Sequence, residues 1–333
     1  MEKGRKTETA EKYVRKYIDL GIKFQKQYSK RGIAKVMLDE NPDVYLDIED
    51  ARAYIRYVTN SYGEQNKHDK YTDLEEGLIL INKPVIELDY TPYIVPPAYN
   101  KTLIIADLHG LFCDMQSLEI AINYGIKHNC DSFIIDGDFL DFYQFSKFDK
   151  SNRIVEQFYE EQEWGVELLQ LLQRIFGFGI LKEGNHDARR QLYIERLPLV
   201  YEEIKLLGGY SDYLNYSGSN IQFIKDYNVI NYGKLNIIHG HEFQGGGGIH
   251  VAYNRLNKAF DNIISAHSHV KQEAVRVGID GEVYGSWTLG CLCNLHPRYN
   301  INSNWTHGFA TVAKDESGFF EIQNKLIINK KIY

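Results

Sequence analysis

Cysteine is scarce in this chain: 4 in 333 residues, at positions 113, 130, 291 and 293, with no C-x-x-C pair. That spacing excludes a zinc finger and a disulfide-stapled secreted scaffold, and it predicts reduced, mostly buried thiols in a cytoplasm. Proline is nearly as rare, with 7 residues, of which Pro84, Pro92, Pro96 and Pro97 all fall within 71–100. No apolar run approaches the roughly 18 residues of a membrane span, and no apolar leader core follows the charged start Met1 to Lys6. These absences predict a soluble, cytoplasmic protein with no membrane partner. Positive charge is in deficit too. A net charge of −7 excludes a protein that coats nucleic acid through its overall charge. The deficit is uneven: residues 1–70 carry 15 Lys/Arg against 12 Asp/Glu, the remainder 23 against 33.

What is present is ample core. An apolar content of 44% with 13% aromatic residues supports one large or two modest domains. Residues 8–28 place Tyr13, Tyr17, Leu20, Phe24 and Tyr28 at helical spacing, Ser29 to Gly32 break the pattern before Ile33 to Leu38, and a third helix follows Asn41-Pro42 with Ala51, Tyr54, Ile55 and Val58 on one face. Residues 1–70 therefore read as a three-helix module resembling a helix-turn-helix, with Arg31 to Leu38 as its second helix and Arg52 and Arg56 on its third. Residues 71–100 read as a Pro-rich linker or extended arm. Residues 101–333 alternate strand and helix patterns, with helices near 115–127, 155–175 and 249–260, which implies parallel strands with crossover helices. After Val270 short two-period strands at 273–277, 283–287, 310–313 and 319–322 predict a second, partly antiparallel sheet.

Five polar clusters stand in order along the third segment, each closely following a short apolar run: Asp107-Leu108-His109, Gly137-Asp138-Phe139-Leu140-Asp141, Gly184-Asn185-His186-Asp187, His239-Gly240-His241, and Ala266-His267-Ser268-His269. Strand ends hold side chains rigidly while the following loops leave room for a substrate. The five clusters resemble the pattern D-x-H, G-D-x-x-D, G-N-H-D/E, H-G and G-H-x-H of the calcineurin-like metallophosphoesterase superfamily, over about half the chain. Ala266 stands where that family usually has Gly. The whole arrangement, helical module included, is similar to phosphoesterases carried by phages and prophages.

The resemblance implies an αββα sandwich of two sheets flanked by helices, and a site with two divalent metal ions, Mn²⁺ foremost, with Fe²⁺ or Zn²⁺ compatible with the same donors. Asp138 resembles the carboxylate that bridges the two ions. Asp107, His109 and His269 complete the protein ligands of one, and Asn185, His239 and His267 those of the other. Two carboxylates against two dications leave about two units of positive charge, suited to an anionic phosphate ester. His186 resembles the general acid, Asp187 is expected to orient it, and Asp141 resembles the carboxylate that fixes a ligand histidine. In the fourth cluster His239 and His241 are both candidates, and the family pattern selects His239.

Other residues have weaker claims. Gly245 to Gly248 precede a helix but lack the Lys-Ser/Thr of a nucleotide-cradling loop, so a plain loop is favoured. Arg189 and Arg190 are candidates to clamp a phosphate, with solvated helix-face charges an equal alternative. Cys291 and Cys293 share one strand face and read as packing. Trp287, His296, Trp305 and His307 are aromatics that would stack on a base near the site or, more ordinarily, fill the core. Asp141 is followed by Phe142-Tyr143 and not by the Arg of protein serine/threonine phosphatases, which disfavours a protein substrate. The leading expectation is a phosphodiesterase or nuclease brought to DNA by the helical module. The alternatives are a phosphomonoesterase or small-nucleotide hydrolase, and a DNA-binding protein whose phosphoesterase domain is inert. The sequence carries no signal of oligomeric state.

Overall fold

The computed structural model describes residues 2–24, 28–59, 90–146, 158–197, 209–214, 219–225, 227–243, 249–297 and 300–333. The chain divides into two compact units, Met1–Ile86 and Glu87–Tyr333. Among the described residues no helix is long and apolar enough to cross a membrane.

The described residues of the first unit are all-α, with helices α1 (Glu2–Phe24), α2 (Lys30–Glu40) and α3 (Ile48–Val58). Their ends are set by side chains that satisfy otherwise open backbone N–H groups. Ser29 Oγ accepts from Gly32 N at 3.1 Å, and Asp47 Oδ1 accepts from Glu49 N and Asp50 N at 2.9 and 2.8 Å. Ala10, Tyr13, Val14, Ile33, Ala34, Met37, Ala51 and Ile55 form its buried core. The connection from α2 to α3, residues 41–47, is longer than the 3–4-residue turn of a DNA-binding helix-turn-helix. On α3, Arg52 pairs with Glu49 at 2.6 Å and Arg56 reaches the same carboxylate at 4.0 Å.

The second unit is a four-layer sandwich. In chain order its strands are β1 (Tyr93–Ile94), β2 (Lys101–Ile105), β3 (Ser132–Asp136), β4 (Phe178–Lys182), β5 (Ile221–Ile224), β6 (Ile230–Tyr232), β7 (Leu235–Ile238), β8 (Ile263–Ser265), β9 (Gln272–Val277), β10 (Val283–Thr288), β11 (His307–Lys314), β12 (Phe320–Ile328) and β13 (Lys331–Ile332). Its helices are α4 (Met115–Lys127), α5 (Phe158–Phe176), α6 (Arg189–Glu195), α7 (Tyr210–Tyr213) and α8 (Val251–Ala259). One sheet has the order β13-β12-β11-β2-β3-β4-β5 and the other β1-β6-β7-β8-β10-β9. Strands β2 to β5 run parallel.

The pleat explains the layers, because alternate residues of a strand face opposite sides. Leu103, Ile105, Phe133 and Ile135 pack under α4 and α5 with Leu118, Ile122, Leu169 and Leu172. Their neighbours Ile104, Ile134 and Ile180 face the other sheet and meet Ile230, Tyr232, Ile237 and Ile264. The αββα sandwich agrees with the sequence reading. The strands after Val270 do not form one sheet of their own, however. β9 and β10 extend the six-stranded sheet, while β11 pairs antiparallel with β2, and β12 and β13 extend the other. Within the Pro-rich stretch, residues 71–89 lie outside the described residues, and Tyr93–Ile94 pairs with β6.

Candidate metal centre

The five clusters fall at the ends of β2, β3 and β4 in one sheet and of β7 and β8 in the other. Loops from both sheets are laced together there. His109 N donates to Asp138 O at 2.9 Å, Ala266 N to His239 O at 2.9 Å, and Asp107 N to Gly137 O at 3.1 Å. His267 N donates to Asp107 Oδ2 at 3.0 Å. Ala266, fully buried, does not have a positive φ. Its Cβ is therefore accommodated where the family usually has Gly.

Asp107, His109, Asp138, His267 and His269 all have φ between 49° and 64°. L-residues seldom adopt this left-handed backbone, and its concentration at one spot marks a site where side-chain direction outweighs local strain. Two glycines permit the close approach of the loops. A Cβ on Gly137, at φ +82°, would stand 2.3 Å from His239 Nδ1, and one on Gly184 would stand 2.3 Å from Asp138 N.

The structure gathers the side chains into two neighbouring groups. In one, His269 Nε2 is 3.1 Å from Asp107 Oδ1 and 3.2 Å from His109 Nε2. In the other, ligating atoms of Asp138, His239 and His267 lie within 4.8 Å of one another. Asp138 connects them, its Oδ2 lying 3.2 Å from His239 Nε2 and 3.9 Å from His109 Nε2. Three imidazoles are steered by contacts on their other nitrogen, as ligand histidines generally are. His109 Nδ1 meets Asp141 Oδ1 at 2.9 Å, His239 Nδ1 meets Asp136 O at 2.6 Å, and His269 Nδ1 lies 4.0 Å from Cys293 Sγ.

The donor set fits a pair of divalent cations. Asn185 Oδ1 is buried without a hydrogen-bond partner among the described residues, an arrangement that is costly for a polar atom unless something else binds it. Two carboxylates, four imidazoles and an amide oxygen are hard and intermediate donors of the kind that hold Mn²⁺, Fe²⁺ or Zn²⁺. His241 is placed differently. Its Nδ1 lies 3.6 Å from Glu242 Oε2, whereas His239 faces Asp138.

Asp141 serves two rings at once, for its Oδ1 also lies 2.7 Å from His186 Nδ1. Burial opposes ionisation of Asp141, but hydrogen bonds from His109 and His186 outweigh it and hold the carboxyl below its ordinary range. The expectation that Asp187 orients His186 needs correction. Asp187 instead accepts from the backbone N–H groups of Leu140 and Gly184, both at 2.9 Å, and of Phe139 at 3.3 Å, and from Tyr210 OH at 2.7 Å. It clamps the second cluster to the third.

Several contributors carried no sequence signal. Glu161 on α5 accepts from Asp141 N at 2.8 Å, and burial, followed by the nearby Asp141 charge, pushes its carboxyl up to about 7. Glu242 accepts from His239 N at 3.2 Å and from Gly240 N. Burial would raise the Glu242 carboxyl, but the Lys182 ammonium, the neighbouring imidazoles and a backbone hydrogen bond together outweigh it and lower the group to about 2. Among the tail aromatics, Trp305 lies against the His269 ring, centroids 4.1 Å apart, while Trp287 packs on Phe320 in the core. His307 bonds Ser117 Oγ and Cys293 O, and His296 bonds Ile301 O. Cys291 and Cys293 are both buried, so the packing expectation stands beside the contact to His269. Gly245 to Gly248 lie outside the described residues.

A family model described as calcineurin-like phosphoesterase matches residues 101–271. Similar solved structures include Vacuolar Protein Sorting 29 from Cryptosporidium parvum, at 12% identity and TM-score 0.39, covering 71% of this chain and 95% of that one. They also include the E. coli phosphoesterase Yfce, at 14% identity and TM-score 0.35, covering 65% and 89%. The Pseudomonas putida nuclease MPE matches at 16% identity and TM-score 0.29, covering 67% and 87%. No curated protein matches. With the family model spanning more than half of the chain and the five clusters drawn together at the strand ends, the chain belongs to the calcineurin-like phosphoesterase family.

Proposed function

We propose that this protein is a metal-dependent phosphodiesterase that acts on DNA. The observation that carries the hydrolytic reading is the convergence on Asp138 of buried donors from both sheets, with Asn185 Oδ1 lacking a hydrogen-bond partner among the described residues. Two divalent ions, Mn²⁺ foremost, held by Asp107, His109 and His269 on one side and by Asn185, His239 and His267 on the other, with Asp138 between, would activate a water and polarise the phosphoryl oxygens.

The chain's own residues do the rest. Asp141 fixes the His109 and His186 rings through one oxygen. His186 N donates to Asp138 Oδ1 at 2.8 Å, which sets the ring beside the bridge position, where it would protonate the leaving oxygen. Such proton transfer typically contributes ~10²–10⁴-fold. Asp187 and Tyr210 hold the third cluster in register, and enclosure of the carboxylates strengthens every charge interaction at the site.

Phe142-Tyr143 in place of the protein-phosphatase Arg weighs against a protein substrate, and the DNA reading is supported by the exposed Lys12, Arg15, Lys16, Arg31 and Lys35 of the helical unit. Four free cysteines suit a reducing cytoplasm, such as that of a bacterium or a phage-infected host. One observation favours a second reading, a small-nucleotide or monoester hydrolase. Arg52 and Arg56 both lean on Glu49, which reduces the charge α3 offers to a nucleic-acid backbone.

Hydrolysis of bis-p-nitrophenyl phosphate beside p-nitrophenyl phosphate, with Mn²⁺ and after chelation, tests the reading. Preference for the diester, lost on chelation and in His186→Ala, is expected. Preference for the monoester moves the assignment to the second reading. Silence on both by metal-loaded protein overturns both readings for these substrate classes.

A further inference from the structure

Arg189 and Arg190 are neighbours at the start of α6, and the fold sends them to different places. The Arg190 guanidinium lies over the Tyr213 ring, 5.1 Å from its centroid. Arg189 turns into the site. Its Nη1 donates to Asp141 O at 2.9 Å and lies 3.4 Å from Asp141 Oδ2, and its Nη2 lies 2.9 Å from His186 Nε2. The side chain is 19% exposed, so it lines the opening and is not sealed beneath it.

These contacts assign the hydrogens on the ring by elimination. A carboxylate oxygen only accepts, so His186 Nδ1 donates to Asp141 Oδ1. A guanidinium only donates, so His186 Nε2 accepts from Arg189. A charged donor is thus spent on a neutral acceptor, and it covers the ring atom that must meet a leaving oxygen. His186 Nε2 is 3.9 Å from Asp138 Oδ2, which places the guanidinium beside the position where a phosphoryl group would sit. An anionic oxygen is a far better partner for it. Bonds with ionised partners are shorter and about twice as strong as neutral ones, and the planar fork grips two oxygens at once.

We propose that Arg189 is a phosphate-binding residue of this site, and that on substrate binding it exchanges His186 Nε2 for the phosphoryl oxygens. The proposal rests on the phosphoesterase reading above. No covalent bond changes in the exchange. One hydrogen bond is traded for another while the Asp141 carbonyl keeps Nη1 anchored, and His186 Nε2 is left free to take up a proton from solvent, the proton it then gives to the leaving oxygen.

The test is calorimetric titration of phenylphosphonate, a non-hydrolysable phosphate-ester analogue, into metal-loaded full-length protein, with metal content measured by mass spectrometry. Arg189→Ala is expected to weaken phosphonate binding about 10- to 100-fold at unchanged metal content, the loss of one or two charge-assisted bonds. Arg189→Lys recovers part of it, because an ammonium lacks the fork, and Arg190→Ala binds as the wild type does. Should Arg189→Ala lose its metals, the comparison passes to Arg189→Lys, where affinity equal to the wild type overturns the proposal. Wild-type affinity in a metal-replete Arg189→Ala, or an equal loss in Arg190→Ala, overturns it while leaving the phosphoesterase reading intact. A metal-replete wild type that binds no phosphonate overturns the proposal, and, joined to silence on both chromogenic esters, the phosphoesterase reading as well.

Discussion

Lys182, fully enclosed at the end of β4, holds its ammonium 3.0 Å from Glu242 Oε1 and also donates to Asn228 O at 3.1 Å. Glu242 in turn accepts the backbone N–H groups of His239 and Gly240. A buried ion pair of this kind positions the fourth cluster, and removing one partner leaves an uncompensated charge. Lys182→Met should therefore destabilise the fold by about 3–5 kcal/mol. Urea unfolding of chelated protein reads the loss, and Lys182→Met combined with Glu242→Gln should recover part of it. A single variant as stable as the wild type would mean that the pair holds nothing in place.

Asp141→Asn removes the charge that grips two imidazoles at once. Loss of an outer contact to a metal-ligand histidine generally costs ~10–100-fold in metal affinity or activity. Because His186 is released together with His109, the fall in kcat/KM toward a chromogenic ester should exceed the fall in metal affinity. Equal falls in the two quantities would confine Asp141 to its contact with His109.

Gly137→Ala places a methyl group 2.3 Å from His239 Nδ1 on a backbone at φ +82°. The conformational strain alone is worth about 1–3 kcal/mol, and the displaced imidazole adds a loss of metal binding. Metal content after dialysis is the direct measurement. Gly177, also at positive φ but with open space around a built Cβ, provides the control: Gly177→Ala should be strained yet retain metal.

Glu161 yields a pH prediction. Its folded-state value of about 7 stands above the ordinary 4.5 of a glutamate, so between those values the folded chain keeps a proton that the unfolded chain has lost. The contribution is fully present below pH 4.5 and is lost as pH rises through about 7, amounting to about 3 kcal/mol at most. Thermal midpoints in EDTA should show Glu161→Gln gaining on the wild type from pH 5 to pH 8. A constant difference across that range would show that the carboxyl is ionised throughout.

The strands beneath the site were readable because each ligand cluster follows an apolar run, and β2, β3, β4, β7 and β8 lie where those runs are. The division of the tail between two sheets was not readable. The segments of β9 and β11 both read as short strands, and only the partner each finds, β10 nearby or β2 about 200 residues back, decides the sheet each joins. Lys182 escaped for a different reason: a lysine at a strand end ordinarily reads as solvated, and its burial depends on a carboxylate contributed by a loop of the other sheet. Glu161 lies 20 residues from Asp141 on a separate element, a distance that no local pattern spans.

Asp107 and His269 are 162 residues apart in the chain and 3.1 Å apart in the fold. During synthesis the first cluster leaves the ribosome long before the last, and neither sheet alone supplies a full set of donors. A nascent or truncated chain ending before β8 should therefore have neither a tight metal site nor hydrolytic chemistry. Long-range closure of this kind delays the emergence of a reactive centre until most of its protein scaffold is in place.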